Sequence, residues 1–98
     1  MNALFEEKQK ALRKHMFELM MQKQADLEDV RQEYDLQRDL LKRRKGNGLV
    51  SDEEYSAAMD RLNKEEHEKK TDIEIAYAEK EAEIKEELEK AKLEAENE

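Results

Sequence analysis

Cysteine, proline and tryptophan are all missing from this chain of 98 residues, and glycine occurs only twice. The absence of cysteine excludes disulfides, thiolate metal sites and a thiol nucleophile. The absence of proline leaves Gly46 and Gly48 as the only strong breakers of a helix, and they lie together near the middle of the chain. Aromatic residues make up 5% and hydrophobic residues 37%, too little apolar material for a compact multilayered core. No uninterrupted apolar run approaches the roughly 20 residues of a membrane-spanning helix. The opening Met1-Asn2-Ala3-Leu4-Phe5-Glu6-Glu7 also lacks the basic-then-apolar order of a signal peptide. The expectation is a soluble intracellular chain, cytoplasmic or cytoskeletal, with the nucleus as the alternative.

Charge is what the sequence has in quantity. Charged residues make up 47%, and the most used types, Glu, Lys, Leu, Ala, Asp and Arg, are those of long helices and coiled coils. A net charge of -8 also suits a disordered chain, so hydrophobic periodicity has to decide. Residues 1 to 50 carry 11 Lys/Arg against 9 Asp/Glu, whereas residues 51 to 98 carry 8 against 18. Folding the acidic half back on the mildly basic one gives favourable contacts, each exposed pair worth only about 0 to 1 kcal/mol.

The stretch from Arg44 to Tyr55 contains the signals for a reversal. Lys42 to Lys45 place positive charge where a helix C-terminus concentrates partial negative charge, and Gly46 or Gly48 can take the left-handed cap. Ser51 and Glu54 then form a capping box, with Val50 and Tyr55 at the staple positions. The expected organisation is a single hairpin: helix 3–45, turn 46–51, helix 52–95.

Periodicity supports two long amphipathic arms. In the first, Phe5, Leu12, Met16, Met20, Leu27, Val30, Tyr34 and Leu41 lie on one stripe. In the second, Tyr55, Met59, Leu62, Ile73, Tyr77, Ile84, Leu88, Ala91 and Ala95 do the same. Leu62, Ile73, Ile84 and Ala95 are eleven apart, as are Phe5, Met16 and Leu27, a hendecad spacing that predicts nearly straight or slightly right-handed pairing. The fold class is therefore all-α, an antiparallel two-helix coiled-coil hairpin of largely hendecad spacing. Mirror order about Gly48 sets Leu41 against Tyr55, Tyr34 against Leu62, Met20 against Tyr77, Leu12 against Ile84 and Phe5 against Ala91. Each arm of roughly 45 residues would extend about 65 Å, a rod. Asn63 to Thr71 is the weak segment, since Glu66 and Lys69 occupy seam positions; their stems are expected to cover apolar surface with their heads in water.

Phe17, Met21, Leu36, Leu40, Ile75, Ala82 and Leu93 fall off the seam, so they are the candidate partner face. The partner is either a second copy, giving a larger helical bundle, or neighbouring segments of a longer protein. Lys42-Arg43-Arg44-Lys45 reads as helix-end compensation before it reads as an import or phosphate-binding signal, and no aromatic residue is interleaved with it, so nucleic acid is not expected as a partner. His15 and His67 fall far apart along the arms and predict no shared metal site. Ser51 is committed as a cap, and a thin seam offers no enclosed pocket, so no catalytic residue, cofactor or metal is expected.

Gly48-Leu49-Val50-Ser51-Asp52-Glu53-Glu54-Tyr55, continuing to Leu62, resembles the short helical hairpin motif called SHOCT: Gly, two aliphatics, a Ser or Thr cap, acidic residues, an aromatic and a later Leu. The resemblance covers about fifteen residues, Met59 replaces a basic residue often found there, and the arms are far longer than that family's. It implies oligomerisation and supplies no active site. The whole chain also resembles segments of coiled-coil cytoskeletal or scaffold proteins. The functional expectation is a non-enzymatic structural module for protein–protein association, with a small acidic adaptor or inhibitor on a basic partner as the alternative.

Overall fold

The computed structural model describes Ala3 to Asn97. Two helices, α1 (Ala3–Gly46) and α2 (Asp52–Glu96), run antiparallel as a hairpin. Both match the expected arms to within a residue. Arg43, Arg44 and Lys45 occupy the last turn of α1, and Asp52, Glu53 and Glu54 the first turn of α2, so each terminus carries the charge that opposes its partial charge.

The reversal is built from backbone hydrogen bonds. Leu49 N–H donates to the Arg44 carbonyl at 2.9 Å and Gly48 N–H to the Lys45 carbonyl at 3.0 Å. These are the paired six-to-one and five-to-two bonds of a Schellman cap. Gly48 supplies the left-handed residue, with φ of 73°, while Gly46 is simply the last helical residue. Ser51 Oγ accepts from the Glu54 N–H at 3.1 Å, and Tyr55 N–H donates to the Ser51 carbonyl at 2.9 Å, which starts α2 where the capping box predicts.

The hairpin comprises two compact units. One contains the residues up to Gln24 with those from Glu74 onward; the other is Ala25–Ile73. In the second, which holds the turn, Tyr34 (2% exposed) and Leu62 form the core, flanked by half-buried Leu27, Val30, Leu41, Tyr55 and Ile73. Helix α2 runs unbroken through Asn63 to Thr71. In the first unit, Leu19, Tyr77, Ile84 and Ala91 are buried and Phe5, Leu12, Met16 and Leu88 half-buried. A buried Leu or Ile side chain contributes about 1.5–3 kcal/mol, so these few residues, more than helix propensity, keep the arms paired.

One seam assignment is corrected. Leu19 is 9% exposed and Met20 is 49% exposed, so Leu19 takes the inward place expected of Met20. Phe5, Leu12 and Leu19 are each seven apart, and this heptad step, running beside the eleven-residue set Phe5, Met16 and Leu27, turns Leu19 inward and Met20 to the flank.

The polar contacts across the hairpin are displaced from mirror order about Gly48. Tyr34 reaches Glu65, Arg38 reaches Glu66, Lys23 reaches Glu81 and Lys8 reaches Glu94. Helical side chains lean toward their own N-terminus. In an antiparallel pair the two leans run in opposite directions, so contacts between side-chain ends fall between residues of higher combined number than their Cα levels predict. The long Arg and Lys side chains are displaced most.

Candidate interaction surface

The turn is held by side chains as well as by its backbone. Lys45 forms an ion pair with Asp52, and its Nζ lies 5.2 Å from the centre of the Tyr55 ring. One lysine thus bridges the end of α1 to the first turn of α2, and Val50, the predicted staple residue, is half-buried beside it in sequence. Leu49 projects outward at 72% exposure.

Beyond the turn, the same unit contains an ionic cluster in place of an apolar layer. Glu66 is buried and accepts from Arg38 at 2.7 Å, while Lys70 Nζ stands 2.8 Å from its other oxygen. Arg38 also donates to Asp35 at 2.8 Å and to Asn63 at 3.0 Å. The expectation of a solvated Glu66 head is therefore corrected: opposite charges arrive from both helices, so the carboxylate can leave water. The Lys70 hydrogen bond, followed by that from Arg38, lowers the Glu66 pKa below its usual value, against the opposing effect of burial. Asp35 is lowered by Arg38, and Glu28, on the exposed face, by Arg31. Lys69 behaves as a snorkelling residue, its Nζ 5.1 Å over the buried Tyr34 ring and 3.7 Å from Glu33, and its pKa is raised by the Tyr34 hydroxyl and then by Glu33. Sequence periodicity identified Tyr34 and Leu62 here but missed Arg38, Asp35 and Lys70; the signal was Arg38 one helical turn after Tyr34, on the edge of the seam.

The unit formed by the chain ends has two shallow hollows beside its seam. One, about 380 Å³, is lined by Lys8, Ala11, Leu12, Glu87, Lys90, Ala91 and Glu94. The other, about 360 Å³, has Phe5 and Leu88 with Gln9, Arg13, Lys85, Glu89 and Lys92. Lys23 and Glu81, each largely covered, stand 3.9 Å apart across the same unit.

All seven residues of the candidate partner face, Phe17, Met21, Leu36, Leu40, Ile75, Ala82 and Leu93, are exposed, and Met20 joins them. They form local groups. Phe17, Met20 and Met21 share a face of α1 in one unit, Leu36 and Leu40 share a face of α1 in the other, and Ile75 and Ala82 lie two turns apart on α2. Large apolar side chains gathered in this way are a docking signal, whereas single ones are ordinary.

His15 and His67 are both exposed. Among the described residues no three His, Asp or Glu side chains come together so as to hold a metal ion, and no helix is long and apolar enough to cross a membrane. No family model, curated protein or solved structure gives a significant match to this chain.

Proposed function

We propose that this hairpin is a non-enzymatic structural module that associates with other chains through the outer faces of its helices, as a scaffold component of a larger cytoskeletal or filamentous assembly inside the cell. The observation that carries the reading is the placement of large apolar residues. Phe17, Met20, Met21, Leu36, Leu40, Ile75 and Leu93 face solvent while several seam positions are given to Gln, Lys and Glu. A chain using its apolar residues only for its own fold would reverse that distribution. The SHOCT-like sequence at the turn, with its implied oligomerisation, agrees with this reading. Sedimentation of the intact chain over a wide concentration range tests it: mass should rise above the 11.7 kDa of one copy, and the rise should persist in high salt because the contact is apolar at its centre.

A second reading has an observation of its own. α2 has three carboxylates in its first turn and no basic residue in its last, and residues 51 to 98 hold 18 of the acidic groups. An acidic adaptor docking this helix on a basic protein would use that charge. Its binding would weaken steeply with added salt, and that dependence separates it from apolar bundling.

A further inference from the structure

We infer that the unit formed by the chain ends binds a second copy of this chain side by side, the outer face of α1 on one copy against the outer face of α2 on the next. The inference rests on the association reading above and specifies its surfaces. On α1, Lys10, Lys14, Phe17 and Met21 follow at steps of four, three and four, a single stripe turned away from the seam, and all four are exposed. On α2, Ile75, Ala78, Ala82, Glu86, Glu89 and Leu93 follow at steps of three, four, four, three and four, again one exposed stripe. One stripe combines apolar side chains with lysines, the other apolar side chains with glutamates.

Order along the helices brings one charged pair and one apolar pair to the same level. Lys8 with Glu94 and Lys23 with Glu81 show which levels of α1 and α2 face each other inside this unit. A neighbour laid alongside in the same direction presents its α2 at those same levels. Lys14 then comes level with Glu89, and Met21 with Ala82, a small residue that lets the larger side chain approach, while Lys10 lies one turn from Glu89 and Phe17, level with Glu86, one turn from Ala82. Lys10, Lys14 and Glu89 form no ion pair among the described residues, and Glu86 has only its exposed neighbour Lys90, at 3.6 Å. Glu7 and Glu18, beside Lys10 and Lys14 on α1, are the like charges set against this match.

Two different faces make the contact, so it is heterologous: a dimer keeps one face of each kind unused, and association continues past it. Complementary charge sets direction, since reversing the neighbour would place its lysines near these lysines. Apolar contact at Phe17 and Met21 gives the interface its persistence.

The test is a charge exchange in the full chain, read by sedimentation, with far-UV circular dichroism confirming the helices. K10E/K14E and E86K/E89K should each associate about tenfold more weakly than the parent chain. An equimolar mixture of the two should recover association, and the chain carrying all four changes should recover it alone. Two outcomes overturn the proposal while leaving the association reading in place: a closed dimer as the end point, or association indifferent to both charge reversals. A chain that stays monomeric at every concentration overturns both.

Discussion

Arg38 on α1 lies 2.7 Å from the carboxylate of Glu66 on α2, at a level where the helical pattern calls for an apolar contact. Glu66 has a second cation in Lys70, and Arg38 a second anion in Asp35, so removing either partner leaves the other paired on one side only. For a fully buried pair such a loss costs about 3–5 kcal/mol, and with 18% and 12% of these side chains still exposed about 1–2 kcal/mol is expected for Glu66→Ala. Glu66→Leu should be neutral or stabilising, because it completes the apolar layer while Arg38 keeps Asp35. The thermal unfolding midpoint should therefore fall for Glu66→Ala and hold or rise for Glu66→Leu.

Acid should act on the same cluster. The folded-state pKa of Glu66 lies below 4.5, its usual value, because Lys70 and Arg38 hold the charged form. A depressed carboxylate pKa adds stability that is complete above the unfolded value and is lost as pH falls through the folded one. Helix content followed downward from neutral pH should accordingly hold until about the ordinary carboxylate range and decline below it. Glu66→Gln should flatten part of that decline, and an unchanged acid profile would remove Glu66 from the account.

The two glycines predict opposite effects for one substitution. Gly48 has φ of 73°, where an added Cβ is strained, so Gly48→Ala should cost about 1 kcal/mol. Gly46 is helical, and a Cβ built on it meets nothing within 4 Å. Gly46→Ala should then stabilise by about 0.4–1 kcal/mol through the unfolded chain and through helix propensity. Denaturant midpoints moving in opposite senses would confirm the division of labour that the turn hydrogen bonds imply.

Local chemistry made the turn legible in advance. Basic residues before Gly46, the Ser51 cap and the acidic first turn of α2 all act through neighbours in sequence, and the observed helix ends follow them to within a residue. Cross-helix relations were less legible, because they depend on where side-chain ends lie, not on where Cα atoms lie. The lean of each side chain toward its helix N-terminus displaces the long polar pairs from mirror order. Glu66 looks like a solvated defect in the sequence for a related reason: one helix considered alone does not reveal that Arg38 arrives from the other.

Met20 and Leu19 provide the sharpest test of the seam. Both are apolar neighbours, and an eye following steps of four from Leu12 through Met16 arrives at Met20. The buried side chain is Leu19, seven after Leu12, because two helical turns bring the chain back to the inward face more closely than two steps of four do. Leu19→Ala removes packing beside Met16 on the inward stripe and should cost about 2–3 kcal/mol. Met20→Ala removes a flank side chain and should change the stability of the monomeric hairpin by no more than about 0.5 kcal/mol. Chemical denaturation of both variants, at concentrations low enough to keep the chain monomeric, distinguishes the two alignments: equal losses, or a larger loss at Met20, would return the seam to steps of four.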